Sequence, residues 1–114
     1  MHEAVWDGPL VPYVRTTQKS KFYSKPWKRY AAWKDTFRLF LNTKSFPAEL
    51  EADVEYEISI QIFASKKVRY DLDNACKAVM DAAWKQDKQV KGLTARLFEN
   101  QGVDCVRLAL WRAS

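Results

Sequence analysis

Between Val54 and Ile62 every second residue is apolar: Val54, Tyr56, Ile58, Ile60 and Ile62 alternate with Glu55, Glu57, Ser59 and Gln61. Successive side chains of a strand leave on opposite faces, so this run predicts a strand with one dry face and one wet face. A strand of that kind needs a sheet around it and a second layer over one side. Two segments can supply that layer. Ser24 can cap a helix with Pro26 in its first turn, and Tyr30, Trp33, Phe37, Phe40 and Leu41 then recur at three and four to about Asn42. Asp73 to Trp84 repeats the pattern through Ala75, Cys76, Val79, Met80, Ala83 and Trp84. Trp33 is expected in the core and Cys76 as a packing thiol. Lys28 falls opposite the first stripe and Arg38 beside it, so that helix is expected to bury its rings and still present cations.

The remaining strands are shorter. One is expected near Ala4-Val5-Trp6, before the breaker Gly8-Pro9-Leu10-Val11-Pro12, and a loose hairpin with a basic tip over residues 13–23. Leu93, Ala95 and Leu97 alternate, Glu99-Asn100-Gln101-Gly102 offers a turn, and Val106, Leu108 and Leu110 alternate again, which predicts a final hairpin. This order describes an α+β domain, a small mainly antiparallel or mixed sheet with two helices. The 114 residues fit one domain, 1–114, and 47% apolar residues supply its core. No apolar run approaches the roughly 20 residues that cross a bilayer, the start lacks the pattern of a secretory signal, and two cysteines make no disulfide framework. A cytoplasmic protein without membrane contact is expected.

Charge is unevenly placed. The net +5 hides a basic third: residues 15–44 carry nine Lys and Arg against the single acid Asp35, while the rest of the chain is slightly acidic. Cations interleaved with aromatics suit a polyanion, since they neutralise phosphates while flat rings meet bases or sugars. The same pattern also fits a solvated surface.

The acids concentrate where a strand gives way to a helix, in Lys66-Lys67-Val68-Arg69-Tyr70-Asp71-Leu72-Asp73-Asn74-Ala75-Cys76-Lys77. In extended chain, carboxylates two apart leave on the same side, and Asp73 is placed to cap the helix. A hard divalent cation such as Mg²⁺ between two carboxylates relieves their repulsion. Asp73, Lys77 and Asp81, spaced by four, line one helical face and put a lysine beside the acids; they also read as a cap followed by a surface ion-pair ladder. A calcium loop starting at Asp71 is excluded, because Cys76 occupies the position that needs glycine. His2 is the single histidine and the cysteines lack finger spacing, which excludes a zinc finger and a histidine-based nucleophile.

The run Arg69-Tyr70-Asp71-Leu72-Asp73-Asn74, with Lys77, Asp81 and then Asp87-Lys88-Gln89-Val90, resembles the signature of the RusA family of Holliday junction resolvases. Gly8-Pro9-Leu10-Val11-Pro12, Arg15 and Phe22-Tyr23 resemble the usual opening of its members. The resemblance implies a homodimeric, Mg²⁺-dependent endodeoxyribonuclease that resolves four-way DNA junctions by paired symmetric nicks. It implies Asp71, Asp73 and Asp87 as metal carboxylates and Lys77 as the catalytic lysine. Arg15, Lys19 and Lys21 of the arm and Lys66, Lys67 and Arg69 ahead of the acids are expected to hold the DNA backbone. In the family the last metal aspartate commonly follows a second aspartate, whereas here Gln86 precedes Asp87. That departure leaves open a branched-DNA-binding protein that does not cleave. An unrelated basic interaction domain would neither bind Mg²⁺ nor prefer branched DNA.

Overall fold

A computed structural model describes residues 1–14 and 25–114. The elements are β1 (His2–Asp7), α1 (Lys25–Thr43), β2 (Tyr56–Phe63), α2 (Leu72–Ala83), β3 (Val90–Phe98) and β4 (Cys105–Arg112). The strands form one mixed four-stranded sheet in the order β1-β4-β2-β3, with both helices on one face, and this is the expected α+β class. The hairpin expected over residues 13–23 falls on residues outside those described, apart from Tyr13 and Val14.

β2 behaves as its alternation demands. Tyr56, Ile58, Ile60 and Ile62 are buried beneath the helices, while Glu57, Ser59 and Gln61 face the other way. From α1, Tyr30, Trp33, Phe37 and Leu41 are buried, and Phe37 is fully enclosed. Trp6 of β1 meets Phe37 and Phe40 edge-on at 5.4 and 5.2 Å, which locks the helix across the sheet. α2 brings Ala75, Cys76, Ala78, Val79, Ala82 and Ala83 into the same core, and the small residues let it lie close to the sheet.

The final hairpin does not form. β3 pairs with β2 in parallel, Ile58 facing Leu93 and Ile62 facing Leu97, while β4 pairs antiparallel with the other edge of β2 and with β1. Burial explains the choice. On the outer side of β3, where Leu93 is already half exposed, β4 would leave Val106, Leu108 and Leu110 in water. Between β1 and β2 all three are buried, and each fully buried side chain of this kind is favoured by about 1.5–3 kcal/mol. The connection turns at Asn100 and Gly102, both with positive φ, and crosses the end of β2. Among the described residues no helix is long and apolar enough to cross a membrane.

Candidate functional site

Residues 64–71 carry the chain from the end of β2 to the start of α2, and the β3–β4 connection holds them. The Ala64 and Gln101 amides donate to the carbonyls of Phe98 and Ala64, each at 2.9 Å. The Ser65 amide and hydroxyl donate to the Asp104 carboxylate at 2.9 and 3.1 Å, and the Val68 amide donates to Glu99 at 2.8 Å. Burial, reinforced by the charges of Asp104 and Glu99, pushes the Tyr70 phenol above its ordinary value. Two acids that the sequence reading did not single out thus fix the loop. Lys66, Lys67 and Arg69 project from it, all exposed.

Asp71 is the N-cap of α2, in extended conformation, and its carbonyl accepts the first helical bond from the Ala75 amide at 3.1 Å. This corrects the expectation that Asp73 caps: Asp73 lies inside the first turn, so the two carboxylates are related by the entry to a helix and not by an extended chain. The Asp71 side chain makes no capping bond, which leaves both its oxygens to solvent. Asp73 touches Lys77 at 3.4 Å, with 79% and 58% of the two side chains exposed. Cys76, buried just inside, has its thiol raised by burial first and by the Asp73 charge second.

The ladder stops at Lys77. Asp81 turns instead to α1, where the Tyr30 hydroxyl donates to it at 2.5 Å and the Lys34 ammonium lies at 3.4 Å. Burial and that carboxylate push the Tyr30 phenol far above its usual value. Arg38 joins this clasp and donates to the carbonyls of Ala82 and Asp81 at 2.8 and 3.0 Å, so it closes the C-terminus of α2 where the sequence reading presented it as a surface cation.

Asp87 lies elsewhere. It sits in the turn before β3, exposed, its carbonyl accepting from the Val90 amide at 2.9 Å. α2 separates it from the other two aspartates, and 12 helical residues at about 1.5 Å each span about 18 Å. Asp73 is therefore brought together with Lys77 beside the Asp71 cap, and Asp87 is at the opposite end of the helix. Among the described residues no three His, Cys, Asp or Glu side chains are grouped to hold a metal ion. Arg15, Lys19 and Lys21 lie outside the described residues.

The molecule is thus a two-layer α+β domain with two exposed aspartates at a helix entry, a lysine one turn on and a cationic loop beside them. A family model described as endodeoxyribonuclease RusA matches residues 9–107, and the chain belongs to that family. No curated protein matches the chain in sequence.

Proposed function

We propose that this protein is a divalent-metal-dependent endodeoxyribonuclease that nicks four-way DNA junctions as a two-fold dimer. The observation that carries the reading is the Asp71 and Asp73 pair at the α2 entry, the Asp71 carboxylate making no capping bond and Asp73 paired in solvent with Lys77 one turn away. The donor set fits Mg²⁺, which takes hard oxygen ligands and is commonly held by one or two carboxylates together with water and substrate phosphate. When bound there, the ion would polarise a phosphodiester oxygen and lower the pKa of a water.

The chain's own residues do the rest. Lys66, Lys67 and Arg69 draw the backbone toward an acidic site that would otherwise repel it. Among the described residues Lys77 is held only by an exposed ion pair, so its ammonium can move from Asp73 to a phosphate oxygen and stabilise the charge that develops there. Asp87 lies too far along α2 to join the pair within one chain. A two-fold dimer with the α2 helices running antiparallel would set Asp87 of each copy beside Asp71 and Asp73 of the other, and would offer two sites to a two-fold junction.

Labelled four-way junction and linear duplex, each with and without Mg²⁺, test the proposal with wild type and Asp71→Asn. Cleavage confined to wild type on junction with Mg²⁺ is expected. Full cleavage by Asp71→Asn, or by wild type in chelator, removes the metal-nuclease reading. The separation of Asp87 from the pair favours one alternative, a branched-DNA-binding protein without cleavage, and junction binding with no nicks under any divalent metal would establish it.

A further inference from the structure

The helices cover one face of the sheet and leave the other open. On that open face the register places side chains in rows across the strands. Val5, Arg107, Gln61 and Arg96 form one row, and Asp7, Cys105, Phe63 and Phe98 form the next. Phe63 and Phe98 stack at 4.8 Å with their planes 11° apart, and the Arg96 guanidinium lies 5.1 Å from the Phe98 centroid. Arg107 is exposed in a central strand. It forms no ion pair among the described residues, although Glu3 and Asp7 stand diagonally across from it. Beside it a trough of about 270 Å³ is lined by Glu3, Val5, Ser59, Gln61, Arg107 and Ala109. The aromatic row is the last before β2 leaves the sheet, so Lys66, Lys67 and Arg69 follow directly from Phe63 and lead to the acids.

Exposed arginines on an open sheet, Arg107 without an ion pair among the described residues and Arg96 over a ring, interleaved with aromatic rings and amide or hydroxyl groups, suit a strand whose bases are not already paired. Cations meet its phosphates, rings meet base faces or edges, and Gln61 and Ser59 can exchange hydrogen bonds with base edges. A duplex offers the phosphates but hides the bases. We propose that the open face of the sheet is a track for an unpaired segment of DNA, with Arg96 and Arg107 on phosphates and Phe63 and Phe98 against bases, running toward the Asp71 and Asp73 end of the molecule. The track rests on the nuclease reading only in taking DNA as the partner. It gives a junction enzyme a place for nucleotides that open where four arms meet.

The test is binding of a fluorescent dT15 strand in 0.1 M salt without divalent metal, by anisotropy, to wild type and to Arg96→Gln/Arg107→Gln. Both positions are exposed, so the variant should keep its fold, and its melting curve checks that. Each phosphate contact on a single strand contributes about 0.7 to the salt slope, or about fivefold in affinity at 0.1 M, so losing two should weaken binding about 25-fold and lower the slope by about 1.4. A strand carrying 5-iodouracil should photocrosslink to Phe63 or Phe98.

Unchanged dT15 affinity in the double variant, or crosslinks confined to α1 and residues 64–71, overturns the track. A change of oligomeric state in the variant without a change in dT15 binding overturns it too, by making the face a contact between copies. Wild type that binds dT15 through these arginines yet nicks no junction keeps the track and removes the nuclease reading. Wild type that nicks junctions with dT15 affinity indifferent to both arginines removes the track alone.

Discussion

Lys77→Ala separates chemistry from stability more sharply than any other single change at the site. The lysine makes an (i, i+4) pair with Asp73 at 3.4 Å, and 58% and 79% of the two side chains are in solvent. Water and salt screen such a pair, so its contribution to stability is at most about 0.3–0.5 kcal/mol. Alanine is also the better helix former by a few tenths of a kcal/mol, which offsets most of that loss. The melting temperature should therefore move by less than about 3 °C. Catalysis follows a different scale. A cation aimed at charge developing on the phosphate is worth about 2.7–4 kcal/mol, so the single-turnover rate on a saturating four-way junction should fall about 100- to 1000-fold. Lys77→Arg should recover only part of the rate, since a planar fork does not reproduce a point charge. Nicking by Lys77→Ala within threefold of wild type would refute the argument and leave Lys77 as a surface ion pair.

Mixing Asp71→Asn with Asp87→Asn subunits, each inactive alone, should restore one nick per junction and one Mn²⁺ site per dimer by electron paramagnetic resonance; silence of the mixture would refute the site shared across the dimer. Replacing Lys66, Lys67 and Arg69 together by Gln should lower the salt slope of junction binding by about 2–3, and an unchanged slope would show that the loop does not touch phosphates. Asp104→Ala removes both acceptors of Ser65 and should cost about 1–3 kcal/mol in urea unfolding, with a loss of nicking that Asp104→Asn partly restores. The raised Tyr30 phenol favours folding while the unfolded phenol stays protonated, so its contribution is complete below its ordinary value of 10.0 and falls away as pH rises above it. Wild type should then lose melting temperature above pH 10 more steeply than Tyr30→Phe, with Tyr70 contributing the slope that remains in the variant.

Periodicity made the helices and β2 legible because it reports which face is dry, and the burial of Tyr56, Ile58, Ile60 and Ile62 follows directly from it. It does not report which strand is the neighbour. Leu93, Ala95 and Leu97 alternate as they would in a hairpin, yet they pair with β2, because β4 buries more when it takes the other edge. One contact of the acidic cluster was legible in local spacing, the Asp73 and Lys77 pair one turn apart on α2. Asp81 obeyed the same spacing and was claimed by Tyr30 and Lys34 across the helix pair, a contact 51 residues away in the chain for the tyrosine. Asp87 is near the other acids in sequence and far in space, since most of the chain between them is the helix α2.

On the proposed metal-nuclease reading, the two ends of α2 account for a requirement for both local carboxylates. A helix N-terminus carries about half a positive charge, which favours anions and works against a bound cation. One carboxylate there does not cancel that field together with the Lys77 ammonium beside it, and leaves a net charge of about +0.5. Two leave the net negative charge that a divalent ion requires before any DNA arrives. At the other end Arg38 donates to the Ala82 and Asp81 carbonyls, so the dipole is answered by a guanidinium inside the fold and not by a cation of the 64–71 loop. Asp71→Asn and Asp73→Asn should each therefore abolish metal binding outright, while junction binding by Lys66, Lys67 and Arg69 is kept or strengthened by the loss of negative charge.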